Sequence, residues 1–492
     1  MLASGDTFRL EDGSTLSCIA TVRSLPHKRQ VFLGELDGRE VFAKLYLDPG
    51  KRQRHWQREL DGIAAFQQRG ILTAELLYSG TVGDEKLPLI VLARLPEPVS
   101  LRAVWDGAGH AARERLLQDM VELLAAHHQA GLCQTDLHLD NFVISEGQIY
   151  SLDGAGVTMT EGGLSLKAGL NNLALFLAQL APKWAASAHE LYTHYLAQRE
   201  IEQGPGSGYL SQQIKQAREW RWNKFKGKLF RECTAFRYKE SSRRMEVVAR
   251  RYAGQELDAL LADPDASFPG KDKALKNGVT CTVWLAQAGD LTVVVKRYNS
   301  RGVVKEIMQK FLRGRALVSW ENAHLLGFCG ISTPSPVAVL MRKQGVFQSQ
   351  SYFITEAVVE FESPKWFQDG VISQKETAAA FRVSRWFVDD AVPVVEKKAM
   401  AGKIADMLRQ VEGLHISHGD MKAANILVVG GEPVLIDLDS MRRHTSGMLF
   451  RRAWRKDMRR FMSNWDDEPK VQAMFRDVLR AKGVGLVDEK VK

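Results

Sequence analysis

Apolar residues recur at helical spacing in two places, each just ahead of a short strand-turn-strand pattern. Leu116, Met120, Leu123, Leu124 and His127 form one such stripe, with Gly131 as its stop; Met400, Ile404, Met407, Leu408 and Val411 form the other, with Gly413. Each predicts an amphipathic helix. After each stop comes an apolar run, Phe142 to Ile144 or Ile426 to Val429, then a Gly-containing turn and a second apolar run. That pattern predicts a β-hairpin, with the polar residues between helix and hairpin in a loop.

The polar residues in these loops match in order and spacing. Asp136 and Asn141 are five residues apart, as are Asp420 and Asn425; Asp153 follows Asn141 by twelve residues and Asp437 follows Asn425 by twelve. A single Asp of this kind is more simply read as a turn cap. Two copies of one triad in the same local pattern argue for an internal repeat. The chemistry the spacing supports is phosphoryl transfer: Asp136 or Asp420 accepts a hydroxyl proton, Asn141 or Asn425 binds a metal ion, and Asp153 or Asp437 binds the metal that bridges nucleotide phosphates.

Such a site also requires a Lys on an upstream strand and a helical Glu to orient it. Lys44 lies in the apolar run Val41 to Tyr46, with Glu59 fifteen residues on, and Lys296 lies in Leu291 to Tyr298. The second Glu is harder to place. Glu59 precedes Gly70 by eleven residues, whereas Glu321 precedes Gly330 by nine. Two positions are about 200° around a helix. Either a turn differs between the copies, or Glu321 does not pair with Lys296.

The residues His418-Gly419-Asp420 through Asn425, Leu435 to Asp439, Thr135 to Asn141, and Trp320-Glu321 leading to Gly330-Ile331-Ser332-Thr333-Pro334 resemble the protein-kinase-like superfamily, and within it the lipopolysaccharide core heptose and Kdo kinases. The resemblance implies ATP and Mg²⁺ as cofactors and a lipid-linked core sugar as acceptor. Lys44, Glu59, Lys296, Glu321 and Lys422 would serve the nucleotide, and Asn141, Asp153, Asn425 and Asp437 the metal. No A-P-E follows either metal-site Asp, which favours a small or lipid-linked acceptor over protein. Departures include the lack of a G-x-G-x-x-G before either Lys, with Gly34 to Gly38 and Asn277 to Thr280 as the weak candidates for phosphate-covering hairpins, and Gln134 where the other copy has His418.

Charge sharpens the division of the chain. Of 67 Lys+Arg and 58 Asp+Glu, residues 215–252 hold 13 basic and four acidic, so this segment contains the entire net excess of +9. Trp220, Trp222, Phe225, Phe230, Phe236 and Tyr238 interleave with these charges, and a second basic cluster runs from Arg442 to Arg460. A solvated linker, an anionic membrane surface and an acidic protein partner all suit that pattern; no RNA-binding motif stands out, and no nucleic acid is expected. Five scattered cysteines without C-x-x-C suit a reducing compartment, and neither a secretory leader nor a membrane span is expected.

These readings predict an α+β chain of two tandem protein-kinase-like bilobal domains with small C-lobes, at 1–208 and 253–492, joined by a basic aromatic helical connector over 209–252. The expected function is an ATP-dependent kinase of an inner-core heptose or Kdo hydroxyl, cytoplasmic and peripheral on the inner membrane of a Gram-negative bacterium. Its rivals are a tandem pseudokinase scaffold and an aminoglycoside- or choline-type small-molecule kinase.

Overall fold

The strand that carries Lys44 alternates buried Val41, Ala43 and Leu45 with half-buried Phe42 and Lys44, so one face packs on the core and the other turns toward a helix. This strand belongs to the first of two compact units seen in the computed structural model, which describes residues 4–25, 27–299, 314–344, 347–358 and 382–485. One unit comprises Met1–Leu180 with Trp184–Glu219, and the other Ala181–Lys183 with Trp220–Lys492. Both mix helix and strand.

The first unit opens with six antiparallel strands, β1 (Thr7–Arg9), β2 (Thr15–Leu25), β3 (Arg29–Leu36), β4 (Arg39–Tyr46), β5 (Leu76–Val82) and β6 (Leu87–Ala93), in the order β1-β2-β3-β4-β6-β5. Helix α1 (Arg52–Gln68) covers the Lys44 face through Ile63 and Leu60, against Tyr46, Ile90 and Leu92. It stops at Gly70, whose φ of 68° favours glycine. A helical part follows: α2 (Leu101–Gly107), α3 (His110–Gln129), α4 (Leu166–Leu177) and α5 (Ala188–Gln198). The short strand β7 (Val99–Ser100) leads into α2, and β8 (Leu132–Gln134), β9 (Phe142–Ser145), β10 (Gln148–Ser151) and β11 (Val157–Met159) lie between α3 and α4, with β9 and β10 forming the expected hairpin. Helix α3 has the predicted period and buries Met120, Leu124 and His127 as expected, with Leu117 and Val121 buried in place of Leu116 and Leu123.

The basic segment departs from expectation. Helix α6 (Ser207–Lys226) accounts for its start, but Phe236–Glu240 and Arg244–Ala249 are strands β12 and β13, joined by a tight turn. The segment is therefore not a helical connector over 209–252. Its aromatic residues do the work of a core: Trp222 and Phe236 are buried, and Phe225, Phe230 and Tyr238 pack against them. Many of its cations are paired, Arg237 with Asp258 and Glu246, Arg244 with Glu246, Arg250 with Glu232 and Lys226 with Glu321.

The second unit builds a seven-stranded antiparallel sheet ordered β12-β13-β17-β18-β16-β15-β14. Its other members are β14 (Lys276–Asn277), β15 (Cys281–Ala288), β16 (Leu291–Tyr298), β17 (Pro336–Gln344) and β18 (Phe347–Glu356). Helix α7 (Gln255–Ala262) packs Leu257, Leu260 and Leu261 on one face, and α8 (Arg315–Phe328) packs Trp320 and Ala323 on the other, which explains why Met245 to Ala249 are buried without alternation. The helical part contains α9 (Val394–Gly413), α10 (Gly447–Met462) and α11 (Pro469–Ala481), with β19 (Ile416–Ser417) paired to β22 (Arg442–Arg443) and the hairpin β20 (Ile426–Val429) with β21 (Glu432–Leu435). Met400, Ile404, Met407, Leu408 and Val411 of α9 are all buried, as their spacing predicted.

Candidate active sites

The two Asp-Asn-Asp triads fold alike to the level of single hydrogen bonds. Leu139–Asn141 and Ala423–Asn425 are single 3₁₀ turns. In each, the Asn side-chain amide donates to the main-chain carbonyl of the loop Asp, Asn141 to Asp136 at 2.7 Å and Asn425 to Asp420 at 2.8 Å. The hairpin then returns to the loop. Leu152 N donates to Asn141 O at 2.8 Å, and Ile436 N to Asn425 O at 2.9 Å. That return sets Asp153 and Asp437 next, both in the left-handed region with φ of 62° and 65°. Side chains other than glycine rarely adopt this conformation, and its recurrence at the same position marks it as functional strain.

Gln134 does the work of His418. His418 Nε2 donates to Ile436 O at 3.0 Å, and Gln134 Nε2 donates to Leu152 O at 3.2 Å, so each holds the carbonyl just before the second Asp of its triad. Both residues are buried. The substitution at 134 therefore preserves the contact and gives no support to a degenerate first site. Gln134→Ala strips that carbonyl of its donor at a cost of about 1–3 kcal/mol. Thermal unfolding of the full chain is expected to show a fall of several degrees for Gln134→Ala and a smaller one for Gln134→His.

The loop is anchored differently in the two units. In the second, buried Asp457 of α10 accepts from the main-chain N–H of His418 at 2.6 Å and of Gly419 at 3.0 Å. In the first, Asn172 of α4 donates to Gln134 O at 2.8 Å and meets His128 at 3.0 Å. The loop Asp also has different company. His138 lies 2.9 Å from Asp136, whereas Asp420 has Lys422 at 3.3 Å and Arg460, another α10 residue, at 2.9 Å. Asp457 and Arg460 escaped the sequence reading because both sit in a stretch whose only visible feature is its basic charge.

The lysines meet different carboxylates. Lys44 lies 2.5 Å from fully buried Glu59, as expected, and Gly154 N donates to the same Glu59 oxygen at 3.3 Å. Burial pushes the Glu59 carboxyl up, with the negative charge of Asp153 adding to the effect and Lys44 opposing it. Asp153 sits below the usual range: burial would raise it, but Lys44 and the hydrogen bond with Glu59 outweigh that. Glycine at 62 and 154 lets α1 approach this turn, since a Cβ on Gly62 would fall 2.0 Å from Gly154 O.

Glu321 does not take the equivalent place. It pairs with Lys226 at 2.5 Å, while Lys296 bonds Asp437 and lies 3.2 Å from Asp439. The residue eleven before Gly330 is Ser319, and its hydroxyl meets that of Tyr298 at 2.8 Å. Thus the first unit has Glu59 on the helix and Ala155 two residues after Asp153, and the second has Ser319 and Asp439 in those places. The acid has moved from helix to turn. Asp439 is nearly buried and is also bound by Arg315, the first residue of α8, at 2.5 Å. Asn322 of the same helix donates to Leu438 O and Met441 O, fixing the turn.

Charge is firmly held in this cluster. Burial works to lower the Lys296 ammonium, but Tyr298, Asp437 and Asp439 prevail and hold it well above its ordinary value. Asp437 lies below its usual range: burial would raise it, and Lys296, helped by Lys276 of β14, overrides that. The stabilisation from Asp437 is present above the unfolded value near 4 and is lost as pH falls through the depressed one. That from Lys296 is present below the unfolded value near 10 and is lost as pH rises through the raised one. Both are charged across the neutral range.

Of the weak hairpin candidates, Gly278 to Thr280 does join β14 to β15, beside the Lys296 strand. Gly34 lies inside β3, where a Cβ would come 2.4 Å from Ser17 O, and so serves strand packing. Among the described residues no group of three or more His, Cys, Asp or Glu can hold a metal ion. Each triad instead offers one Asn amide oxygen, its N–H₂ turned to the Asp carbonyl, and one carboxylate. That set fits Mg²⁺, which keeps several waters and takes the rest of its shell from phosphate oxygens.

This arrangement has the groups that phosphoryl transfer uses. Residues 277–481 match the model of the lipopolysaccharide kinase (Kdo/WaaP) family. The match supports a phosphotransferase acting on a sugar hydroxyl and suggests a kinase in lipopolysaccharide biosynthesis, and the matched family implies use of ATP. A search of curated proteins finds no match. Solved structures with some likeness include the kinase domain of Mycobacterium tuberculosis PknI, 16% identical, covering 44% of this chain and 99% of that one with a TM-score of 0.29. WbdD is 14% identical, covering 43% of this chain and 48% of that one with a TM-score of 0.30. Neither bears on the mechanism at such scores.

Proposed function

We propose that the second unit transfers phosphate from ATP to a heptose or Kdo hydroxyl of the lipopolysaccharide inner core. We further propose that the chain is a tandem of two kinase-like bilobal units, peripheral on the cytoplasmic face of the inner membrane. The observation that supports this most is Asp420. Its carboxylate is partly exposed, its main-chain carbonyl is tied to Asn425, and its neighbours Lys422 and Arg460 are cations suited to an approaching phosphate. Asp420 accepts the acceptor hydroxyl's proton, and Lys422 steadies the charge on the transferring group. Asn425 and Asp437 would hold Mg²⁺, which when bound would neutralise phosphate charge. Lys296, released from Asp437 toward the nucleotide phosphates, remains oriented by Asp439. Asp136, Asn141, Asp153, Lys44 and Glu59 provide the same groups in the first unit. Among the described residues no helix is long and apolar enough to cross a membrane.

The test is transfer to a defined acceptor. Full-length protein with ATP and Mg²⁺, added to core lipopolysaccharide from cells lacking it, is expected to add one or more phosphates by mass spectrometry. An unchanged mass would overturn the acceptor assignment.

A further inference from the structure

Helix α10 divides its residues sharply. Phe450, Trp454, Met458 and Phe461 enter the core with Asp457. Arg451, Arg452, Arg455, Lys456 and Arg459 occupy the opposite side and are exposed, and no acidic residue of the helix shares that side. At 100° per residue these five side chains span an arc of about 140°. Among the described residues none of the five has a carboxylate partner, whereas Lys226, Arg237, Arg244 and Arg250 of the other basic segment are all paired. An ordinary solvated helix face carries both signs of charge. This one carries a single sign.

Two further features narrow its partner. Met448 and Leu449, at the start of the helix, are 74% and 60% exposed, large apolar side chains at the edge of the cationic face. On its flank the same helix supplies Asp457, which anchors the catalytic loop, and Arg460, which reaches Asp420. Whatever this face rests on lies beside the proton acceptor. Cations combined with apolar side chains at one end match a lipid surface better than a soluble polyanion, which offers nothing to Met448 and Leu449.

We propose that the exposed face of α10 docks the protein on an anionic lipid bilayer, presenting Asp420 to acceptors held in that bilayer. The placement of the acceptor rests on the kinase reading above; the docking itself does not. In residues 215–252, the obvious membrane candidate by composition, Trp222 and Phe236 are buried and Phe225, Phe230 and Tyr238 pack against the core, which leaves Trp220 as the exposed large aromatic.

Flotation of the full-length protein with vesicles tests this without acceptor or turnover, so failure of docking and failure of the kinase assignment are told apart. The protein is expected to float with phosphatidylcholine–phosphatidylglycerol vesicles in about equal parts, not with phosphatidylcholine alone, and to be released by salt. Joint replacement Arg452→Gln, Arg455→Gln and Arg459→Gln is expected to weaken partitioning about a hundredfold, at about 1 kcal/mol per cation. Melting temperature and its rise with ATP should stay as in the wild type. If that variant misfolds, Met448→Ser with Leu449→Ser, both exposed, must weaken flotation instead. Unchanged flotation of a folded variant would overturn the proposal. So would equal binding to neutral vesicles, or displacement by single-stranded nucleic acid or a soluble phosphorylated saccharide at matched phosphate concentration.

Discussion

Asp420→Asn is expected to lower phosphate transfer to core lipopolysaccharide by about 10²–10⁴-fold, the range for loss of a general base. The amide retains the size of the carboxylate but cannot accept the proton. Stability should change little, because Asp420, Lys422 and Arg460 are each more than a quarter exposed and exposed ion pairs contribute little. Nucleotide binding should also persist, since Asn425 is tied to the Asp420 main-chain carbonyl, not to the side chain being replaced. The expected signature is therefore a collapse of kcat with an unaltered ATP-dependent rise in melting temperature. Asp136→Asn, assayed on the same acceptor, should retain activity. If Asp136→Asn abolished transfer and Asp420→Asn did not, catalysis would belong to the first unit.

Both triads were legible in the sequence because the hairpin imposes a fixed chain length between Asn and the second Asp, and insertions within it would break the return to the loop. Lys44, Glu59 and Lys296 were legible for the same reason, each sitting in a regular element with a clear period. For Glu321 the nine-residue spacing, about 200° round the helix from the position of Glu59, leaves two alternatives, and the structure takes the one in which Glu321 does not pair with Lys296. Nothing local to Ser319 announces the exchange, which is visible only once Asp439 is placed beside Lys296. The basic segment, by contrast, misled. Composition reports charge and aromatic content but not pairing, and in the fold Glu232, Glu240, Glu246, Asp258 and Glu321 meet the cations of 226–250 and of β17. Arg451, Arg452, Arg455, Lys456 and Arg459 of α10 look alike in sequence and among the described residues have no carboxylate partner, because the helix buries its one Asp.

Asp439→Ala is expected to reduce kcat/KM for ATP about 30–150-fold, the equivalent of roughly 2–3 kcal/mol. Removing a partner from a buried ion pair costs about 3–5 kcal/mol, but here Lys296 keeps Asp437, so the loss should fall below that range. What is lost is division of labour. With Asp439 present, Lys296 can leave Asp437 to the metal and still have a carboxylate; without it, Lys296 must compete with Mg²⁺ for Asp437. The defect should therefore be relieved by raising Mg²⁺, which a simple loss of stability would not show. Arg315, left without its partner, is 39% exposed and can turn to solvent, so α8 should not unravel. The first unit supplies the compensating change, since it keeps its acid on the helix and Ala155 in the turn. Ser319→Glu combined with Asp439→Ala recreates that arrangement and is expected to recover part of the lost kcat/KM, read from initial rates across ATP and Mg²⁺ concentrations. Equal activity of Asp439→Ala and wild type at limiting Mg²⁺ would show that Lys296 needs no carboxylate beyond Asp437.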